Sequence, residues 1–137
     1  MIVYLDTSAV LRPLLGQKHA LDWVGWKSAY SSEILGLEAR RVIDRLRLAS
    51  ALDDTGVMDA HRELGRIEQY LGTVQLTRPV LRRAAMAMPT AVKTLDAIHL
   101  TSAIVLAEKL NTSVTFATHD IRQATAAYAL GFHVLGV

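Results

Sequence analysis

Two short strand-like runs in this sequence each lead to an aspartate. Asp6 directly follows the run 2–5, which is apolar at every position, and Asp120 closes the run 114–118. A strand that is apolar at every position needs cover on both faces, as in a parallel sheet between layers of helices. The sequence therefore favours an α/β fold whose strands end near acidic side chains.

Helical patterns alternate with the strand-like runs along the chain. Apolar spacing and capping residues predict helices over 8–15, 20–27, 33–50, 57–71, 79–88, 94–110 and 121–130. Short apolar segments predict strands over 2–5, 30–31, 74–76, 114–117 and 133–135. Short strands that alternate with helices indicate an α/β three-layer sandwich with a mostly parallel central sheet.

The bulk properties of the sequence narrow the class of protein. Its 137 residues suit one domain, 1–137, and no repeat or flexible linker divides them. No apolar stretch approaches the roughly 20 residues of a membrane helix, and the start lacks a basic leader, so neither a bilayer span nor a signal peptide is expected. The absence of Cys excludes disulfides and thiolate metal sites, and it fits a reducing cytoplasm.

The positive charge of the chain is carried mainly by arginine. The net charge is only +2, but Arg accounts for eleven of the 15 basic residues. Arginine is the better planar donor to phosphate oxygens. Any single Arg is expected on a solvated helix face, yet together they allow a basic rim around an acidic centre, which would suit a polyanionic substrate. The clustered members are Arg40, Arg41, Arg45, Arg47, Arg82 and Arg83.

Two further acids interrupt the apolar stripes of predicted helices. Glu38 lies on a stripe with Leu35 and Val42, and Asp96 opens the stripe that continues at Leu100. Both acids lie near a helix N-terminus, where free backbone N–H groups favour negative charge. Because ligands of parallel sheets bind at the carboxyl ends of strands, we expect these acids to share a pocket with the two strand-end aspartates.

Four carboxylates in one pocket repel each other, and the sequence offers no basic residue spaced to pair all of them. A divalent cation is the natural partner, and a cation held by carboxylates indicates phosphate chemistry. Each acid alone has a simpler explanation. Asp6 and Asp120 also suit helix N-caps, and Asp96 suits the first turn of a helix, whereas Glu38 lies too far into its helix for a cap.

The histidines and tryptophans give weaker signals. His99 is expected to be packed and hydrogen-bonded, and His119 to be more exposed beside the last aspartate. No histidine spacing resembles a zinc site. Trp23 and Trp26 share the spacing of one helix face, which favours a place in the core or an interface over base stacking.

Four segments carry the acids in a characteristic order: Tyr4–Ala9, Ser32–Arg41, Leu95–Ala103 and Phe116–Asp120. Their order and spacing span nearly the whole chain. In this combination the sequence resembles the PIN-domain ribonucleases, and most closely the VapC-type toxins of bacterial toxin–antitoxin pairs. The middle of the chain, about 51–88, carries no such signature.

The resemblance implies a PIN-like fold and an endoribonuclease that depends on Mg²⁺ or Mn²⁺ and hydrolyses RNA phosphodiester bonds. It also implies a cognate antitoxin and a homodimer. Asp6 and Asp96 are expected as the most direct metal ligands. Glu38 and Asp120 are expected to bind a second ion or to orient water, and Thr118 is the accompanying hydroxyl.

Other classes of protein fit the sequence less well. A receiver-type phosphoacceptor domain wants an adjacent acidic pair after its first strand and a late Lys, but Thr7 and Ser8 follow Asp6 and no Lys follows the late strand. A haloacid-dehalogenase-type phosphatase wants a second Asp where Ser8 stands. A catalytically inactive PIN-like module that binds RNA or protein stays open.

Overall fold

The computed structural model describes residues 1–137. It contains one sheet in which every strand pairing is parallel, in the order β3-β2-β1-β4-β5. Parallel neighbours need crossover connections, and helices supply most of them. The strands are β1 (Ile2–Leu5), β2 (Ser28–Ser32), β3 (Gly72–Val74), β4 (Thr115–Ala117) and β5 (His133–Leu135).

Six helices accompany the sheet. None of them is long and apolar enough to cross a bilayer. They are α1 (Thr7–Leu14), α2 (Leu35–Leu48), α3 (Asp54–Tyr70), α4 (Arg78–Ala84), α5 (Thr94–Leu110) and α6 (Ile121–Ala129).

The central strand β1 contributes to both faces of the core. Tyr4 packs on one face with residues of α5 and α6, and its ring stacks on Phe116 with centroids 5.5 Å apart. Val3 and Leu5 point to the other face, against α1, α2 and α3. Three of the four side chains of β1, Val3, Tyr4 and Leu5, are fully buried, as its apolar pattern predicts, and Ile2 is half-buried. The predicted α/β fold is confirmed.

The helix predicted over 20–27 is wrong. These residues form an irregular connection, in which Asp22 accepts a hydrogen bond from the backbone N–H of Val24 and Gly25 adopts φ +82°. A left-handed residue cannot continue a right-handed helix. Trp23 and Trp26 do stack on each other, with ring centroids 5.7 Å apart, but across this turn and not along a helix. Both rings pack against the core on the side of the sheet that α1 covers.

Two smaller corrections bear on the position of the site. The third strand is Gly72–Val74 instead of 74–76, because Gly72 fits against the ring of Tyr30 where any Cβ would overlap it. The buried stripe of α2 runs through Leu35, Ala39 and Ile43. Glu38 therefore lies beside the core-facing stripe, not on it.

Candidate active site

The four predicted acids line one cavity of about 610 Å³ at the carboxyl ends of the strands. Asp6 follows the central strand β1, and Asp120 lies between β4 and α6. Glu38 and Asp96 come from the first turns of α2 and α5. Because α2 begins at Leu35 and not at residue 33, Glu38 lies nearer the start of its helix than predicted. Acids from four separate parts of the chain thus share one pocket, although their chemical role stays a prediction.

Asp6 is the most deeply buried of the acids, with 4% of its surface exposed. Its Oδ1 accepts hydrogen bonds from Ser8 Oγ at 2.6 Å and Ala9 N at 3.1 Å, so it is also the N-cap of α1. Burial raises the pKa of Asp6, against the opposing effect of the Ser8 and Thr118 hydrogen bonds. A carboxylate has about four acceptor positions, so these bonds leave capacity for one further partner.

Thr118 joins the ends of the two central strands. It is fully buried and donates to Asp6 Oδ2 at 2.6 Å. The same hydroxyl accepts from the backbone N–H of Asp120 at 3.0 Å and lies 3.2 Å from Ser8 Oγ. Thr118 therefore fixes one acid directly and the backbone of a second.

Glu38 is held by two side chains from other elements. Thr7 Oγ1 donates to Glu38 Oε1 at 2.8 Å, and His99 Nε2 lies 2.7 Å from the same oxygen. Burial alone would raise the pKa of Glu38, but the hydrogen bond and charge of His99, with the Thr7 bond, hold it below its usual value.

His99 is packed and hydrogen-bonded, as predicted, with 2% of its surface exposed. That His99 lines the same cavity as the acids and contacts Glu38 was not predicted from the sequence. Its spacing of three residues from Asp96 was a usable signal, since residues three apart are neighbours on a helix surface.

Asp96 is the least compensated acid of the cavity. Its pKa is raised mainly by burial, and the negative charges of Asp120 and Glu38 add to that effect. The backbone N–H of Lys93 and the charge of His99 oppose it only in part. Asp96 therefore experiences the repulsion that a bound cation would relieve.

Asp120 is solvent-exposed and caps the last helix. Its Oδ1 accepts from the backbone N–H of Arg122 at 2.9 Å. Its second oxygen makes no hydrogen bond with the protein, and the residue lines the cavity. As for Asp6, the N-cap explanation is correct and does not exclude a place in the site.

The donor set fits a hard divalent cation held by few protein ligands. The structure contains no group of three or more His, Asp or Glu side chains close enough to enclose a metal ion. Mg²⁺ does not need one, because it keeps several waters and takes one or two carboxylates together with substrate phosphate. The cavity supplies carboxylate oxygens of this kind. Two of its acids, Asp6 and Asp96, have raised pKa values.

The predicted basic rim exists in part. Arg41 and Arg45 line the cavity, one helical turn apart on the face of α2 that carries Glu38. Arg41 also pairs with Asp44 at 3.3 Å. Three other clustered arginines pair with acids, in Arg40–Glu68 at 2.7 Å, Arg47–Asp44 at 2.9 Å and Arg83–Glu108 at 2.7 Å.

A second cavity of about 700 Å³ adjoins the first and shares part of its wall, including Ser8 and Asp120. Arg12 and Arg122 line it, and neither forms an ion pair. His119 also borders this cavity and is half-buried, so it is more exposed than His99, as predicted. Its Nδ1 lies 2.8 Å from the carbonyl oxygen of Gly136.

The fold agrees with comparisons to known proteins. Residues 3–127 match the sequence profile of the PIN domain, and the chain belongs to the PIN domain family. It is similar to ribonuclease VapC47 of Mycobacterium tuberculosis (strain CDC 1551 / Oshkosh), with 26% identity over 133 residues that cover 96% of this chain and 93% of that protein.

Two solved structures share the fold. One is FitAB bound to an IR36 DNA fragment, with a TM-score of 0.68 and 19% identity over 98% of this chain and 94% of that one. The other is VapBC2 from Rickettsia felis bound to a DNA fragment from its promoter, with a TM-score of 0.63 and 12% identity over 98% of both chains. The predicted PIN-like architecture is thereby confirmed.

Proposed function

We propose that this protein is an endoribonuclease that hydrolyses RNA phosphodiester bonds with the help of Mg²⁺ or Mn²⁺. The observation that carries the proposal is the convergence of acids from four elements on one cavity, with arginines at its edge. Likeness to a ribonuclease across nearly the whole chain supports RNA as the substrate. The proposal takes 1–137 as one catalytic domain.

A divalent cation in this cavity would supply Lewis-acid stabilisation of phosphate charge and a lowered pKa of water. Asp6 and Asp96 are the residues we assign to hold it most directly. Thr118 keeps Asp6 in one orientation through its 2.6 Å bond, and Asp120 and Glu38 have free oxygens to hold a second ion or to accept protons from water.

We also propose that the protein acts as the toxin of a toxin–antitoxin pair. The VapC name of its relative and the two-component names FitAB and VapBC2 support a protein antitoxin as partner. A homodimer and a cytoplasmic location, for which the absence of Cys is favourable, belong to the same proposal.

The test is cleavage of total cellular RNA by the purified protein with Mn²⁺, with Mg²⁺ or with EDTA. We expect internal cuts only with a divalent cation, and ends without a 2′,3′-cyclic phosphate because water is the nucleophile. Cyclic ends would show attack by the RNA's own 2′-hydroxyl and contradict the mechanism. Retained RNA binding without cleavage would instead identify the inactive PIN-like module.

We expect part of the RNA strand to pass through the second cavity, where Arg12 and Arg122 can contact its phosphates. In the double variant Arg12→Gln/Arg122→Gln we expect KM for a long single-stranded RNA to rise about tenfold with kcat nearly unchanged. Each lost phosphate contact reduces the salt slope of binding by about 0.7, so the double variant should lose about 1.4.

The matched control is Arg78→Gln/Arg82→Gln, which removes the same charge from exposed positions of α4 that line neither cavity. Steady-state kinetics over a range of salt concentrations measure both effects. Equal changes in the two double variants would show only the net charge of the protein, and would exclude a strand path through the second cavity.

A further inference from the structure

His99 and Tyr4 form a buried pair beside the four acids. The reaction proposed above assigns no role to this pair. Tyr4 is fully buried and His99 nearly so, and the Tyr4 hydroxyl lies 2.8 Å from His99 Nδ1. We propose that His99, held by Tyr4, is a positioning residue that fixes the Glu38 carboxylate with Oε1 turned to the protein and Oε2 presented to the cavity. Its catalytic consequence rests on the ribonuclease function proposed above.

The hydrogen bonds at Glu38 are all on one oxygen. Oε1 receives Thr7 Oγ1 at 2.8 Å and His99 Nε2 at 2.7 Å, whereas Oε2 makes no hydrogen bond with the protein. An ionised carboxylate only accepts, so Nε2 must carry the proton in this pair. The arrangement leaves a single Glu38 oxygen for an ion or a water molecule.

The imidazole ring is anchored at both nitrogens. Nδ1 meets the phenol of Tyr4, and Nε2–H is shared between Glu38 Oε1 and Thr7 Oγ1, which lies at 3.1 Å. Turning the ring over would break both sets of contacts. Tyr4 belongs to β1, which is paired on both sides, so the Tyr4–His99 contact ties the position of the Glu38 carboxylate to the centre of the sheet.

Glu38 needs such an anchor because it is long. A glutamate side chain has several rotatable bonds, and its rotamer freedom must be lost before its oxygen can occupy one place. Groups that orient ligand side chains without touching the ligand affect metal affinity or activity by about 10- to 100-fold when removed.

The kinetic test compares substitutions that keep or remove the N–H donor. We expect His99→Leu to lower kcat for RNA about 10- to 100-fold with KM little changed, since the rim arginines stay in place. His99→Gln can offer an amide N–H near the position of Nε2 and should recover a large part of that loss. Tyr4→Phe, which keeps the stacked ring, should lower kcat less than His99→Leu.

The control variant is Thr101→Val, on the same helix. Thr101 is fully buried and its hydroxyl has no hydrogen-bond partner, so a near-isosteric change there should leave kcat unchanged. A kcat in His99→Leu equal to the wild type, or a His99→Gln as impaired as His99→Leu, would overturn the proposal. Denaturant unfolding of each variant separates both results from a loss of fold.

Two measurements do not depend on RNA cleavage. In the metal-free protein, ¹⁵N NMR of the imidazole should show a proton on His99 Nε2, and an unprotonated Nε2 would contradict the positioning role. The Mn²⁺ dissociation constant from thermal shifts should rise about tenfold in His99→Leu and stay unchanged in Thr101→Val. If the wild type cleaves no RNA, the ribonuclease fails while these two measurements still decide the positioning role.

Discussion

Asp96→Asn is expected to abolish RNA cleavage while leaving the metal-free protein at least as stable as the wild type. The substitution removes a carboxylate oxygen that we assign to the cation, and such an ion is worth several kcal/mol of transition-state stabilisation. Since 1.36 kcal/mol corresponds to a factor of ten, a loss of about 100-fold or more is expected. Cleavage assays with labelled RNA measure it.

The stability effect follows from the raised pKa of Asp96, which burial and the charges of Asp120 and Glu38 cause. A raised pKa means that the folded state disfavours the charged carboxylate. The penalty is present at neutral pH, where Asp96 is ionised in both states, and it disappears as the pH falls below its ordinary value of 3.8. At pH 7 the free energy of unfolding of Asp96→Asn should therefore exceed that of the wild type, and near pH 3.5 the two should be equal.

The matched control for this prediction is Asp59→Asn, the same chemical change on an exposed face of α3 outside the acidic cavity. It should alter neither cleavage nor stability. Urea denaturation of the three proteins at both pH values provides the comparison. An Asp96→Asn protein that unfolds more easily than the wild type at pH 7 and still cuts RNA would identify Asp96 as a structural group of the helix start.

Mg²⁺ or Mn²⁺ is expected to raise the melting temperature of the wild type, and to do so much less in Asp96→Asn. A ligand that binds only the folded state at 100 times its Kd stabilises by about 2.7 kcal/mol. For a chain of this size, that corresponds to roughly 10 °C. Differential scanning fluorimetry over a cation titration gives the shift and the dissociation constant.

Ionic strength needs its own control, because salt also screens repulsion between carboxylates. KCl at matched ionic strength should give a far smaller shift than the divalent salt. Equal shifts in the wild type and in Asp96→Asn would place the bound cation elsewhere on the protein.

Much of the fold follows from local pattern. The wholly apolar run before Asp6 predicts a strand buried on both faces, and it is the centre of the sheet. The pattern fails where backbone conformation decides the structure. Gly25 turns a stretch with helical tryptophan spacing into a loop, and Gly72 begins a strand although glycine is a poor strand former.

The site divides in the same way. The four acids are recognisable because each stands in an apolar setting at a strand end or a helix start. The contacts that hold the acids cannot be recognised from the sequence, because their partners are far apart along the chain. Thr118 lies 112 residues from Asp6, and His99 lies 61 residues from Glu38. Helical periodicity does place Arg45 on the face of Glu38, but nothing local shows that Arg40 pairs with Glu68.

Asp6 is both the N-cap of α1 and a proposed metal ligand, and this affects which variant suits a structure of the RNA complex. Its carboxylate organises the first turn of α1 and receives the Thr118 hydroxyl, so removing it would disturb the scaffold along with the chemistry. Asp96 is not the N-cap of its helix, and its side chain binds no hydroxyl from a strand end. For cocrystals with uncut RNA, the inactivating substitution should therefore be Asp96→Asn on α5, because it should leave the shape of the acidic cavity unchanged.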